Sequence, residues 1–216
     1  MPMERVMKNN LFIISKNGWS YIFYTFLAFV FCSVLDLEFF ALTTLVVTLF
    51  FICIFRNPER EVMFLEEKAV TSPVDGNVIS IDEINNEIFA YRVIIESDYT
   101  NVGMLRTPLN SEVVEYTLYR GGRMSKKSKL FYDLNEKVEI FFVDKYNNKI
   151  KIVHRLKKSI IPLDIELLKN RKYVQGSRYG YGLNMASELY LPKNFRFDIK
   201  IDQDIKAAET LIGYFS

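Results

Sequence analysis

The sequence contains one histidine, two cysteines and almost no net charge. One histidine, His154, excludes any site that needs two imidazoles from one chain. The formal charge of +2 argues against a dedicated nucleic-acid binder. Cys32 and Cys53 lie inside apolar stretches, without metal-ligand spacing or the polar neighbours of a reactive thiol. We therefore expect no metal ion.

Charge is also missing from two long stretches, residues 19–35 and 39–55, which only Asp36, Leu37 and Glu38 separate. A membrane-spanning helix needs about 20 apolar residues, with a range of roughly 17–25. The pattern predicts a short cytoplasmic lead-in at 1–18 and a membrane-embedded helical hairpin at 19–55. A pair of core helices in a soluble protein is the alternative. A secretory signal fits less well, because no small-residue cleavage site follows the first stretch.

The basic residues around the hairpin set its expected orientation. Arg5, Lys8 and Lys16 precede it, and Arg56 and Arg60 follow it. Since basic residues stay on the cytoplasmic side of short loops, both ends should face the cytoplasm from the cell (inner) membrane. Arg56 and Arg60 are expected to lie at head-group phosphates.

The remainder, residues 56–216, has the pattern of a β domain. Short runs of β-branched and aromatic residues are separated by turn residues, and we predict a compact β barrel or sandwich. The predicted strands are 78–81, 88–95, 113–119, 138–143, 150–156, 188–191 and 195–201, with a hairpin turn at 145–148. Asp133, Glu136 and Glu139 have the spacing of a solvated face.

Basic residues form two local groups within this domain. They meet either anionic head groups or only solvent, and the sequence leaves both open. The groups are Lys126, Lys127 and Lys129, and Arg155, Lys157 and Lys158.

Six motifs in order resemble the short, membrane-anchored form of phosphatidylserine decarboxylase proenzymes. The last is also shared with biotinyl and lipoyl-type barrels, so we expect a lipoyl-like C-terminal part. The motifs are FRNPER at 55–60, SPVDGNV at 72–78, NVGMLRTP at 101–108, NEK at 135–137, RYG with MASELYLP at 178–192, and DIKAAETLI at 204–212.

The resemblance implies a self-cleaving pyruvoyl enzyme of phospholipid biosynthesis. Ser187 matches the serine that attacks the preceding carbonyl, so cleavage would fall between Ala186 and Ser187 and leave a pyruvoyl cofactor derived from Ser187. Asp75 matches the family's catalytic aspartate. The implied substrate is phosphatidylserine or a related aminophospholipid, converted to phosphatidylethanolamine in the former case. Arg106 joins Arg56 and Arg60 as an expected substrate or membrane contact.

The sequence departs from the family pattern at positions that the resemblance assigns to the family's reaction. Gly103 stands where the family has its histidine, and Ala186 where it has a glycine that tolerates strained backbone. His154 lies in a different segment and is expected to be a strand residue. Loss of an acid–base group costs about 10²–10⁴-fold in rate. The departures leave two hypotheses open, a slow decarboxylase and an uncleaved member that binds lipid or a partner.

A lipoyl-type carrier is a weaker third hypothesis, because no lysine occupies a suitable hairpin tip in the final segment. The sequence leaves a homo-oligomer open.

Overall fold

The structure is a computed structural model that describes residues 13–62, 66–84 and 86–216. The chain divides into two compact units. One unit ends at Glu59 and carries the apolar helices, and the other runs from Arg60 to Ser216 and carries all the strands.

The first unit is a helical hairpin, as predicted. Helix α1 spans Trp19–Val34 and helix α2 spans Glu38–Ile54. Asp36 turns the chain between them with a φ of 55°. The Tyr21 ring stacks on the Phe55 ring, with centroids 5.5 Å apart.

Polar side chains inside the hairpin are satisfied by the helices themselves. The hydroxyls of Thr25, Ser33 and Thr48 donate to backbone carbonyls four residues earlier. No residue of α1 is buried, which disagrees with a pair of soluble core helices. Residues 16–34 are long and apolar enough to cross a membrane, and α2 is a shorter apolar helix.

The second unit is mainly β, which confirms the predicted fold class. Its only α-helix among the described residues is the single turn α3, Phe131–Leu134. The strands are β1 Ala69–Thr71, β2 Gly76–Glu83, β3 Tyr91–Ser97, β4 Met104–Arg106, β5 Ser111–Tyr119, β6 Lys137–Val143, β7 Lys149–Leu156, β8 Asp164–Ile165, β9 Arg171–Tyr173, β10 Arg178–Tyr181, β11 Met185–Leu191, β12 Phe195–Phe197, β13 Asp204–Ile205 and β14 Leu211–Phe215.

These strands form three antiparallel sheets. The largest has eight strands in the order β13-β2-β3-β11-β7-β6-β5-β9, and two three-stranded sheets have the orders β1-β14-β12 and β4-β10-β8. Among the described residues the sheets do not close into a barrel, and the arrangement resembles a sandwich. Strand β11 is therefore interior, with β3 on one side and β7 on the other.

Alternating burial fixes which side chains of the large sheet face the core. In β6, Val138, Ile140 and Phe142 are fully buried while the residues between them are only partly covered. Period-two alternation is what a sheet with one buried face requires. The predicted turn at 145–148 is confirmed between β6 and β7, and Asn147 adopts a φ of 65° there.

Two details of the sequence interpretation are wrong. The strand predicted at 195–201 ends at Phe197, so its alternating charges do not continue a ladder. Glu136 is not on a solvated face: it is 1% exposed and pairs with Arg120 and Arg123. A buried carboxylate needs such partners because desolvation without them is costly.

Candidate active site

Ser187 lies in the middle of β11, facing the interior. It pairs with Ile95 of β3 and with His154 of β7, and it is 1% exposed. Residues directly opposite in an antiparallel ladder point to the same face, so this register brings the histidine side chain to the serine.

Ser187, His154 and Tyr179 form a buried relay. The Ser187 Oγ is 2.7 Å from His154 Nδ1, and His154 Nε2 is 2.6 Å from the Tyr179 hydroxyl. Tyr179 reaches the imidazole from β10, which belongs to a different sheet. The three side chains are essentially inaccessible to solvent. The serine hydroxyl therefore has a nitrogen base in contact, and the base has a partner that orients it.

Burial sets the protonation states of the relay. It lowers the pKa of His154 to about 3 and raises the pKa of Tyr179. At neutral pH the imidazole is uncharged and the phenol keeps its proton. When Nε2–H donates to the Tyr179 oxygen, the Nδ1 lone pair is free to accept the Ser187 O–H. The arrangement therefore supports proton removal from Ser187, by a weak base.

Ala186 precedes the serine in ordinary strand backbone. It pairs with Glu96 of β3 and Arg155 of β7, and no left-handed φ occurs at this position. The nearest left-handed residue is Asn184, with a φ of 48°. Alanine adopts extended backbone without cost, so the glycine-dependent strain that the family motif suggested has no counterpart at Ala186.

The face of β11 opposite the Ser187 relay, which includes Ala186, carries charged side chains. The guanidinium of Arg155 and the carboxylate of Glu188 form a buried ion pair, and the Tyr190 hydroxyl donates to Glu188 over 2.7 Å. Burial, together with this hydrogen bond, raises the pKa of Tyr190 to about 12. The two faces of β11 thus differ, with the relay on one and an ion pair on the other.

Asp75 lies directly before β2, and strand β3 separates β2 from β11. Its carboxylate pairs with both terminal nitrogens of Arg60 and accepts the Ala207 N–H at 2.9 Å. Among the described residues, none of its hydrogen bonds reaches Ser187 or His154. The hydrogen bonds of the Asp75 carboxylate are therefore separate from those of the Ser187 relay.

Arg60 and Arg106, which the sequence suggested as head-group contacts, have largely buried side chains. The Arg60 side chain is 7% exposed, since a buried aspartate requires a countercharge. Burial by itself lowers the pKa of Arg60, and the hydrogen-bonded Asp75 carboxylate offsets this, so the pKa is raised. Arg106 is 3% exposed and donates to the Gly176 carbonyl at 3.0 Å. Arg56 is exposed at the end of α2 and donates to the Cys53 carbonyl.

Gly103 is packed so tightly that no side chain fits. A Cβ built there would lie 2.8 Å from the Gly182 carbonyl oxygen and 2.9 Å from side-chain atoms of Leu183 and Tyr181. A histidine side chain therefore has no room at this position unless its neighbours move. In the described residues, groups of three potential metal ligands are also lacking.

Sequence reasoning correctly placed His154 in a strand but missed its contact with Ser187, and it gave Tyr179 no role. One signal was available for the histidine. In 150–156, His154 follows Ile150 and Ile152 at two-residue intervals, so it shares their buried face. A buried imidazole needs a hydrogen-bond partner. Which partner depends on the order of the strands, which the local pattern does not contain.

Comparisons with known proteins identify relatives of this chain. The sequence model described as phosphatidylserine decarboxylase matches residues 47–213. The phosphatidylserine decarboxylase proenzyme of Ehrlichia chaffeensis is 27% identical over 221 residues, which cover 97% of this chain and 94% of the relative. That of Syntrophus aciditrophicus is 28% identical over 198 residues (84% and 87%), and that of Carboxydothermus hydrogenoformans is 30% identical over 156 residues (67% and 70%). The chain belongs to the phosphatidylserine decarboxylase family.

Proposed function

We propose that this protein is a self-processing phosphatidylserine decarboxylase in which His154 activates Ser187. The observation that carries the proposal is the 2.7 Å contact between Ser187 Oγ and His154 Nδ1. Family membership supplies the reaction class, and the relay supplies a base that Gly103 cannot. The chemistry would thus survive the loss of the family's histidine through a residue on another strand.

The first step is an N-to-O acyl shift within the chain. His154 Nδ1 takes the Ser187 hydroxyl proton, and Oγ attacks the carbonyl carbon of Ala186. The C–N bond between Ala186 and Ser187 breaks, and the proton passes from His154 to the released nitrogen. The product is an ester isomer of the original chain, with no atoms gained or lost.

The second step cleaves the ester. Removal of the Ser187 Cα proton breaks the Cβ–O bond and releases Ala186 as a carboxylate. The remaining dehydroalanine isomerises to an imine, and water replaces its nitrogen, which leaves as ammonia. Ser187 thereby becomes a pyruvoyl cap on the fragment 187–216.

The residues present fit the pyruvoyl group. Ser187 is its source, and Ala186 adopts the backbone found here without strain. The pyruvoyl ketone supplies the electron sink for decarboxylation of an amino-acid head group. Because the pKa of His154 is depressed, the imidazole is a weak base and processing is expected to be slow, which a single event per chain tolerates.

Asp75 takes a positioning role in this proposal. Its carboxylate ties three separate segments together through Arg60, Ala207 and the Val102 N–H, the last at 3.4 Å. Its carbonyl accepts the Ser97 hydroxyl, and Ser97 pairs with Met185 of β11. Asp75 therefore acts on the cleavage strand through β3 rather than by proton transfer.

The hairpin at 19–55 is proposed as the anchor in the cell (inner) membrane. Basic residues before and after it favour the cytoplasm for both ends and for the processing domain at 56–216. Arg56, which is exposed directly after α2, is the arginine best suited to a head-group phosphate. The substrate is proposed to be phosphatidylserine, drawn from the same bilayer.

A second function, an uncleaved lipid- or partner-binding protein, is favoured by one observation. Gly182, Leu183 and Tyr181 leave no room for a side chain at Gly103, as expected if the family's histidine is no longer needed there. In that case Ser187 and His154 would be a satisfied core hydrogen bond and nothing more.

Release of carbon dioxide distinguishes the two functions. Purified full-length protein is incubated in detergent micelles with phosphatidylserine labelled at the serine carboxyl carbon, and Ser187→Ala is the control. The proposal expects labelled carbon dioxide from the wild type and none from the variant. Equal release from both, or none from either, overturns it.

A further inference from the structure

The segment at 124–134, between β5 and β6, presents apolar side chains to solvent. We call it the 124–134 loop. Leu130, Tyr132 and Leu134 are 49%, 50% and 49% exposed. They occupy alternate positions in and directly before the single-turn helix α3. Several large apolar side chains exposed within one short segment mark a binding surface more often than scattered single ones do.

The loop is held rigidly in this position. Phe131 is fully buried, and the Arg155 guanidinium lies 4.9 Å from the Tyr132 ring centroid. The Asn135 side chain donates to the carbonyls of Met124 and Leu156 and accepts the Met124 N–H. Because these contacts fix both ends of the loop, the exposed side chains are a built feature of the surface.

Lysines accompany the apolar side chains. Lys127 and Lys129 are exposed, and neither makes an ion pair among the described residues. Lys126 differs, since it pairs with Glu96. The loop contains three lysines against one acidic residue, Asp133, so its net charge is positive.

We propose that the 124–134 loop docks onto an anionic phospholipid surface. Leucine and tyrosine side chains enter the boundary between head groups and acyl chains, while lysines pair with the head groups around them. A protein partner would match the apolar side chains, but the flanking exposed lysines favour an anionic lipid surface. The proposal rests on the proposed function, because it needs the domain to work at a bilayer.

The location of the loop gives the docking a purpose. Arg155, which stacks on Tyr132, is the ladder partner of Ala186 on β7. Glu96, which holds Lys126, is the ladder partner of Ala186 on β3. The loop therefore rests on the strands that flank the scissile position, on the face of β11 opposite the relay, and docking would hold this part of the domain against the bilayer.

Depth-dependent quenching tests the docking. Trp19 is the only tryptophan, so Trp19→Phe gives a silent full-length chain, and Ser187→Ala removes any dependence on processing. Tyr132→Trp places the probe in the loop. Tyr146→Trp is the matched control, because Tyr146 is also 50% exposed, at the β6–β7 turn. Both proteins are reconstituted into vesicles of phosphatidylcholine and phosphatidylglycerol with brominated acyl chains.

The proposal expects blue-shifted, strongly quenched emission from position 132 and unquenched emission from position 146. Unquenched emission at 132, or equal quenching at both positions, overturns it. Emission at 132 that is blue-shifted without bromine quenching indicates a protein contact and also overturns it. The Ser187→Ala background separates the two proposals, since a failure of cleavage leaves this measurement unchanged.

Charge provides an independent readout. Replacing Lys127 and Lys129 by glutamine is expected to lower the ratio of docked to undocked loop about thirtyfold in anionic vesicles. Glutamines at Lys193 and Lys200, two exposed lysines outside the loop, are the control and should leave quenching unchanged. Quenching that is insensitive to the loop lysines contradicts the electrostatic half of the proposal.

Discussion

Replacement of His154 by glutamine separates a catalytic relay from a core hydrogen bond. Glutamine retains a polar side chain at the 2.7 Å contact with Ser187 but cannot take a proton. Removal of a general base lowers a rate by about 10²–10⁴-fold. We expect His154→Gln to slow self-cleavage by that factor, with the chain still folded.

Tyr179→Phe tests the other end of the relay. It keeps the ring packed beside Phe142, with centroids 6.0 Å apart in the wild type, and removes only the hydroxyl bonded to His154 Nε2. An unsatisfied buried partner costs about 1–3 kcal/mol. If that cost falls on the productive tautomer, cleavage slows by about 5- to 150-fold, less than for His154→Gln.

The assay follows the fraction of cleaved chain with time after cell-free synthesis, by intact mass. Ser159→Ala is the matched control, because Ser159 is also a buried serine, bonded to the Ile161 carbonyl at 2.8 Å, outside the relay. Thermal unfolding verifies that each variant is folded. A folded His154→Gln protein that is cleaved at the wild-type rate would refute the relay.

Three further predictions concern stability, each measured by urea unfolding. Gly103→Ala should lower the free energy of unfolding by about 1–3 kcal/mol through overpacking. Gly122→Ala is the control and should be nearly neutral, because its Cβ would have ordinary contacts from 3.5 Å. Similar costs for the two variants contradict the packing argument. Arg60→Ala should cost about 3–5 kcal/mol by stranding the Asp75 carboxylate, and a loss under about 1 kcal/mol refutes the buried pair. The pKa of His154 is depressed to about 3 in the folded protein, so at a pH below the ordinary histidine pKa the unfolded chain binds more protons and stability falls as pH drops. At about pH 5 the wild type should lose about 2 kcal/mol more stability than His154→Gln. Equal losses in the two proteins contradict the depressed pKa.

Local patterns predicted the elements but not their neighbours. The uncharged stretches 19–35 and 39–55 identify both helices, because apolar stretches of this length are typical of membrane-spanning helices. The alternation in 138–143 and 150–156 identifies β6 and β7 and the turn between them. The contact of β11 with both β3 and β7 joins distant segments, and nothing in a single segment specifies it.

The candidate site was predicted in part for the same reason. Motif resemblance selected Ser187, but it paired that serine with Asp75, which the ladder keeps one strand further away. Arg60 was assigned to lipid because it follows the hairpin in sequence. Burial of the Asp75 carboxylate instead drew the arginine inward. His154 and Tyr179 become part of the site only when three strands from two sheets are assembled.

The intact mass of the purified protein tests the central claim most directly. A self-processing chain gives two species, residues 1–186 with a free carboxylate and residues 187–216 with an N-terminal pyruvoyl mass that shifts on reaction with a hydrazine. Ser187→Ala must remain whole. A wild-type protein that stays as one full-length species, after prolonged incubation with lipid, would contradict the account.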